Sequence, residues 1–338
     1  MIAWQKRHGR HDLPWQRASD PYTIWLSEIM LQQTQVSAVI PYYQRFVARF
    51  PTVQTLAAAP LDAVLALWSG LGYYARARNL HHTARQIVGD HAGRMPDDPE
   101  LVQQLPGIGR STAAAICVFA YAGRHAILDG NVKRVLARYC GVRGFPGDAK
   151  VQATLWRKAE ELLPEKRGIR RYTQGLMDLG ASLCSRRNPQ CALCPLQADC
   201  VAYRRGWTHQ LPTPKPRAAV PQRQTVMLLL RNPAGDILLE RRAPTGIWGG
   251  LWSLPEIGDA REARAICRTR YGVRVCAPIP LPVIAHGFTH FKLKIMPLLL
   301  KVRKSTASSP ETQWFPVTDA MAAGIPVPVR KIIAAHCL

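Results

Sequence analysis

No apolar run in the 338 residues comes near the roughly 18 that a membrane-spanning helix needs; the longest lies around Ala113–Ala122. The first residues, Met1-Ile-Ala-Trp-Gln-Lys-Arg-His8, turn polar and basic at once and lack the apolar core of a secretory signal. Acidic side chains are scarce, 22 Asp and Glu against 45 Lys and Arg, and no internal repeat is present. The nine cysteines are odd in number and unevenly spaced, which argues against a disulfide framework and for reduced thiols. Together these absences predict a soluble, cytoplasmic protein.

What is there is charge and apolar bulk. The formal net charge of +23 favours a polyanionic partner, because neutralising phosphates releases counterions. A generically basic surface is the plainer alternative. With 47% hydrophobic residues the chain can bury real cores, and its length suggests two domains.

Residues 1–203 read as helical, with Ala- and Leu-rich segments punctuated by Pro and Gly. Helices are expected over Pro21–Ala38, Pro41–Phe50, Leu61–Ser69, Tyr74–Gly89, Ser111–Ala122, Val132–Tyr139, Lys150–Leu163 and Tyr172–Cys184. Residues 204–224 are rich in Pro, Arg and Lys and read as a linker. From 225 to 338 the texture becomes that of a smaller α+β domain. Strands are expected at Thr225–Leu230, Ile237–Arg241, Phe288–Ile295 and Pro297–Val302, and a helix near Ala260–Tyr271. Residues 1–205 carry a net +12 and residues 206–338 a net +11, so both domains are expected to face the same polyanion.

Four strings carry chemistry. Leu105-Pro-Gly-Ile-Gly-Arg-Ser-Thr112 sets two glycines before a helix, whose N–H groups and positive N-terminal end suit a phosphate; an ordinary helix–helix turn looks the same. Asp129, in Leu128-Asp-Gly-Asn-Val132, stands just before a helical run. It reads as an N-cap, as a carboxylate held ionised to stabilise a cation, or as both. Glu28 is the one acid in the apolar and amide-rich Trp25–Val36 segment. It reads as a capping or surface Glu, or as a buried acid with a raised pKa. Cys184-x6-Cys191-x2-Cys194-x5-Cys200 can close only around one centre, either zinc or an iron–sulfur cluster.

Taken together these strings resemble the helix–hairpin–helix DNA glycosylases of the endonuclease III superfamily, and within it the adenine-excising branch. Leu13-Pro-Trp-Gln16, Ser27–Val36, Gly70-Leu-Gly-Tyr-Tyr-Ala-Arg-Ala-Arg-Asn79, Leu105–Thr112, Leu128–Val135 and the cysteine loop carry the likeness, which covers nearly the whole chain. It implies an all-α glycosylase domain with a [4Fe–4S] cluster on Cys184, Cys191, Cys194 and Cys200, followed by an α+β Nudix-like domain. It implies action as a monomer on double-stranded DNA with adenine opposite 8-oxoguanine or guanine. Glu28 would be the general acid, Asp129 the stabiliser of the sugar cation and Asn131 a positioning group. Trp15, Gln16, Leu31, Gln174 and Met177 are candidate pocket residues, each open to a reading as plain packing. Gln33 and Tyr73 are candidate wedges, with a core tyrosine the alternative for Tyr73. Gly107 and Gly109 belong to the phosphate-binding hairpin.

Two departures are informative. The lysine nucleophile of strand-cleaving members would stand two residues past the second hairpin glycine, where this chain has Ser111. A serine forms no Schiff base, which implies a glycosylase without lyase chemistry. In the C-terminal domain Gly250, Glu256 and Arg264 keep phase with the Nudix box, but its metal-binding acids are replaced by Ala265, Arg268 and Thr269. Without those carboxylates a hard cation lacks its oxygen ligands, so pyrophosphate hydrolysis is not expected. The resemblance instead assigns 8-oxoguanine recognition to Phe288-Thr289-His290. Lys292, Lys294 and Lys301 read equally as phosphate contacts or as a solvated strand face. The family also has more helix before the segment matching Ala3-Trp4, which leaves the stability of the first helix open without removing a catalytic position.

Overall fold

Asp20 and Asp98 each precede a proline, and each starts a helix by accepting hydrogen bonds from first-turn N–H groups. Asp129 and Asp148 cap two more in the same way. The computed structural model describes residues 1–16, 20–165, 167–215, 219–305 and 311–338. In chain order its first helices are α1 (Ile2–His8), α2 (Pro21–Leu31), α3 (Val36–Arg49), α4 (Val53–Ala58), α5 (Leu61–Trp68) and α6 (Ala75–Asp90). Then come α7 (Pro99–Gln104), α8 (Arg110–Tyr121), α9 (Gly130–Tyr139), α10 (Ala149–Glu161), α11 (Ile169–Ala181) and α12 (Val201–Arg204). Among the described residues no helix is long and apolar enough to cross a membrane.

The chain forms two units, Met1–Ala58 with Asn79–Arg217, and Ala59–Arg78 with Ala218–Leu338. The expected linker straddles that division, and its Pro216–Ala218 stretch lies outside the described residues. In the first unit α8 is buried from Ala113 to Val118 and packs on α2, whose only half-buried position between Tyr22 and Met30 is Glu28. α1 packs on α11, with Gln5 only 4% exposed, so the first helix is docked rather than weakly held.

Two expected boundaries moved. The helix expected over Pro21–Ala38 is two helices, because Gln33 adopts φ 56° and breaks the hydrogen-bond ladder between α2 and α3. α3 then runs through Pro41, which had been expected to start it.

Among the described residues the second unit carries a nine-stranded sheet. Its strands are β1 (Gln222–Arg231), β2 (Ile237–Arg241), β3 (Trp252–Ser253), β4 (Glu256–Ile257), β5 (Val273–Val275), β6 (Ile279–Pro280), β7 (Ile284–Gly287), β8 (Lys292–Ser305) and β9 (Thr312–Phe315). β1 pairs along its whole length in parallel with Lys292–Lys301 of β8 at the centre. The run Val226–Leu230 is buried throughout, as a strand covered on both faces must be. α13 (Ala263–Arg270) closes one side through Ala263 and Cys267, and α14 (Val317–Ala322) and α15 (Val327–Cys337) complete the unit. The strand expected at Phe288–Ile295 begins only at Lys292. Phe288–Phe291 form a turn closed by the Phe288 N–H donating to Phe291 O at 2.9 Å. From Lys292 onward the sheet continues without a break through Pro297, where two strands had been expected.

Candidate active site

One cavity of about 1310 Å³ opens in the first unit. Trp15, Gln16, Glu28, Leu31, Gln33, Ser111, Asp129, Asn131, Gln174 and Met177 all line it. Among the described residues Glu28 and Asp129 are its only acidic lining residues, against Lys6, Arg10, Arg134, Arg170 and Arg171. The cavity is therefore cationic around a single pair of carboxylates.

The two acids differ in their surroundings. Glu28 is pushed up to about 8, first by desolvation on the apolar α2 and second by the charge of Asp129. Both influences favour the protonated acid. Desolvation also raises Asp129, but four influences oppose it: backbone hydrogen bonds from Val132 and Asn131, and the charges of Arg134 and Lys133. The Val132 N–H donates to Asp129 Oδ1 at 2.7 Å, so the capping role is real and itself favours the carboxylate form. The two carboxyls thus differ in kind: every influence on Glu28 favours its proton, whereas the desolvation that raises Asp129 is opposed by hydrogen bonds and cationic charge.

Neighbouring elements fix these groups. Ser111 Oγ accepts the Leu128 N–H at 2.9 Å, tying the first turn of α8 to the residue before Asp129. Asn131 Oδ1 accepts from Arg134 Nη2 at 2.9 Å, and the same guanidinium reaches Gly180 O at 2.5 Å and Cys184 O at 2.8 Å. α11 can come this close to α9 because position 180 is glycine; a Cβ there would stand 2.6 Å from Asn131 Cβ. Gly107 adopts φ +80° in the α7–α8 turn, and Gly109 is the N-cap of α8; neither lines the cavity. Trp15 is both wall and core, 7% exposed and edge-on to Tyr43 at 5.3 Å. Gln16 accepts the Leu13 N–H at 3.3 Å.

Sequence reasoning missed Asp178 and Arg10. Asp178 is 2% exposed; its Oδ1 accepts from Arg10 Nε at 2.7 Å and from Gln174 Nε2 at 2.9 Å. One signal was available: Asp178 lies four residues beyond Gln174, on the same helix face.

Cys184, Cys191, Cys194 and Cys200 line a second cavity together with Arg138 and Leu196, and all four are free thiols. Among the described residues no three His, Cys, Asp or Glu side chains converge closely enough to hold a single metal ion. Arg138, 2% exposed, donates to Cys184 Sγ at 3.3 Å and to Ser185 O at 2.7 Å. Four soft donors beside a buried cation suit an anionic thiolate-bound centre.

The remaining candidates belong to the second unit. Tyr73, expected in the helical domain, lies in the Ala59–Arg78 segment of this unit; it is 44% exposed at φ 50°. It is therefore an exposed tip rather than a core tyrosine. Thr289 and His290 are exposed, while the Phe288 ring stacks on buried Phe291 at 4.5 Å. Lys292, Lys294 and Lys301 are exposed, the first two alternating with buried Phe291, Leu293 and Ile295. Glu256 is ion-paired with Arg242 at 2.5 Å, and Ala265, Arg268 and Thr269 lie exposed on α13.

Comparison with known proteins places these features. The HhH-GPD superfamily base excision DNA repair family matches residues 26–161, and the NUDIX domain family matches residues 226–335. An adenine DNA glycosylase of Buchnera aphidicola is 36% identical over 98% of this chain and 95% of its own length. The adenine DNA glycosylase of Homo sapiens is 30% identical over 99% of this chain and 73% of its own. Among solved structures, a thermostable thymine-DNA glycosylase is 29% identical, covers 60% of this chain and 93% of its own, and has a TM-score of 0.54. Endonuclease III in a non-covalent DNA complex superimposes over 61% of this chain and 92% of its own with a TM-score of 0.52; at 21% identity it shows the fold alone. The chain thus belongs to the adenine DNA glycosylase (MutY) family, a helix–hairpin–helix glycosylase unit joined to a Nudix-like one.

Proposed function

We propose that this protein excises adenine paired with 8-oxoguanine or guanine in duplex DNA, by hydrolysis of the N-glycosidic bond and without strand cleavage. The observation that carries the reading is the carboxylate pair: Glu28, pushed up to about 8 by burial, and the helix-capping Asp129 line one cavity whose other charged groups are cations. A cavity of this size admits a base only after it leaves the stack, so the adenine is flipped out. Glu28 donates its proton to adenine N7. The N9–C1′ bond then breaks, and its electron pair leaves with the neutral base. Asp129 faces the positive charge that develops on the sugar, and water adds at C1′ with loss of a proton. Two carboxylates acting at one glycosidic bond follow glycosidase logic. Asn131 holds the Asp129 side of the site through Arg134. Ser111 offers no amine, and its oxygen already accepts the Leu128 N–H, so Schiff-base chemistry has no nucleophile at that position.

Cys184, Cys191, Cys194 and Cys200 would hold a [4Fe–4S] cluster, with Arg138 offsetting its negative charge. When bound, the cluster fixes the loop carrying Arg186 and Arg187, which supplies phosphate contacts rather than chemistry. Gln33 and Tyr73 would fill the gap left by the flipped base. The Phe288–His290 turn would contact the 8-oxoguanine.

The decisive experiment is single-turnover excision on duplexes with adenine opposite 8-oxoguanine, guanine, cytosine and thymine. Fast release in the first two and slow release in the others is expected. Equal rates on all four would remove the mispair reading, and a borohydride-trapped adduct at the parent's turnover rate would remove the hydrolytic one.

A further inference from the structure

Two exposed elements of the second unit await a physical account of how they are held, namely the tip at Tyr73 and the turn at Phe288–His290. Tyr73 and Trp248 both take left-handed backbone conformations, φ 50° and 56°. Non-glycine residues stay in that region only where their surroundings over-determine them. At Tyr73 the surroundings are visible. Trp68 Nε1 and Arg76 Nη2 each donate to Gly72 O at 3.1 Å, and the Gly70 N–H donates to Tyr74 Oη at 3.1 Å.

The segment is then pinned on both sides to the sheet-bearing part of its unit. Before the tip, Ser69 Oγ donates to Ile325 O at 2.8 Å, and Arg330 Nη2 donates to Ser69 Oγ at 3.3 Å. Beyond the tip, Arg78 Nη1 donates to Gly249 O at 2.6 Å. Gly249 sits in a closed turn where a Cβ would meet Pro244 O at 2.5 Å, so its carbonyl direction is fixed. Its neighbour Trp248, 6% exposed, sets its ring against His286 at 5.6 Å and Phe288 at 5.4 Å. A continuous line of contacts thus runs from the Tyr73 tip through Arg78, Gly249 and Trp248 to Phe288.

We infer that Arg78 is a positioning residue that couples the Tyr73 tip to the Phe288–His290 turn, so that one element responds when the other is displaced. A guanidinium suits the task, since its planar fork holds a carbonyl with little rotamer freedom left to lose. The consequence for specificity rests on the function proposed above, but the coupling itself does not.

The test therefore reads both. Hydrogen exchange is measured on the free full-length protein for Arg78→Met, Trp248→Leu and the double variant, with α9 as internal reference. Faster exchange at residues 70–74 and at 286–291 is expected in each single variant, with no change in α9. The double variant is expected to add little beyond the larger single effect, the mark of one shared interaction. In excision assays Arg78→Met is expected to lower the preference for 8-oxoguanine over guanine about tenfold, with the rate opposite guanine within twofold of the parent. Arg78→Lys, which keeps a donor, is expected to restore part of the preference. Unchanged exchange at residues 70–74 in Arg78→Met, or single effects that multiply independently, would overturn the coupling even if the parent excises adenine as proposed. Exchange that couples in a parent that releases no adenine would leave the coupling standing and remove the proposed activity.

Discussion

The two units treat carboxylates in opposite ways. The helical unit keeps two acids in a cavity whose other charged lining groups are cations, and there burial raises both, Glu28 to about 8. The C-terminal unit matches the NUDIX domain family, yet positions 265, 268 and 269, where metal-binding acids would stand, are Ala, Arg and Thr. Its Glu256 is engaged by Arg242. Both scaffolds are intact, and what separates them is whether the charged groups remain. The fold states what a unit can be built to do, and a few side chains state what it does.

The comparison breaks most sharply at Glu28. Glu28→Gln keeps the shape and removes the transferable proton. Excision is expected to fall on the order of 10³-fold, the middle of the range for a general acid, while duplex binding persists. Near-parental release would end the acid assignment. A stability readout accompanies it. The Glu28 pKa is raised in the folded state, so ionising it costs stability. That cost sets in as pH rises above 4.5, the ordinary value, and levels off above about 8. The variant escapes it, so its melting temperature is expected to exceed the parent's at pH 8 and to match it near pH 4.5.

Asp129→Asn separates cap from charge within the same cavity. Asn caps a helix about as well as Asp, so α9 and the melting temperature are expected to be kept. Excision is expected to drop on the order of 10²-fold, because a preorganised charge opposite the sugar cation is lost. Parental turnover in this variant would leave Asp129 as a cap only.

The pH profile tests the pair as a pair. The proposed mechanism needs Glu28 protonated and Asp129 ionised. Single-turnover rates are expected to fall about tenfold per unit above pH 8, as Glu28 loses its proton. Because the Asp129 pKa is raised as well, the acid limb is expected to lie above the usual carboxylate range. A profile flat through pH 9 would contradict the assignment of the proton to Glu28.

Much of this was legible in the sequence because it is local. The hairpin glycines, the Asp129 cap and the cysteine spacing are each set within one short stretch of chain, and the structure puts both Glu28 and Asp129 in the lining of one cavity. What escaped was non-local or conformational. Arg10 meets Asp178 across 168 positions, and Asp62 pairs with Arg241 across 179, a bond that helps hold Ala59–Arg78 in the C-terminal unit. No periodicity announces such pairs. The break after Leu31 was hidden for another reason: Gln32-Gln-Thr-Gln35 contains neither Gly nor Pro, yet Gln33 turns left-handed. The late start of β8 was hidden because Phe288–Phe291 is apolar enough to read as strand while forming a turn.

The smallest effect falls on the unit that lost its acids, and it asks what replaced them. Thr289 is exposed at a turn held from below by the Phe288 ring on Phe291 and from behind by Trp248. In the proposed function its hydroxyl is the group that meets the oxidised base. Thr289→Val keeps the branched shape and removes the donor. One hydrogen bond contributes about 1 kcal/mol, so the preference for 8-oxoguanine over guanine is expected to fall about fivefold. Excision opposite guanine should stay near the parent's, because Glu28 and Asp129 are untouched. Thr289→Ser keeps the hydroxyl and is expected to behave as the parent. Competition between the two mispairs in one tube reads the ratio directly. If Val and Ser variants were alike, recognition would rest on the shape of the Phe288 turn rather than on the Thr289 hydroxyl, and the C-terminal unit would read its partner without any hydrogen bond from that position.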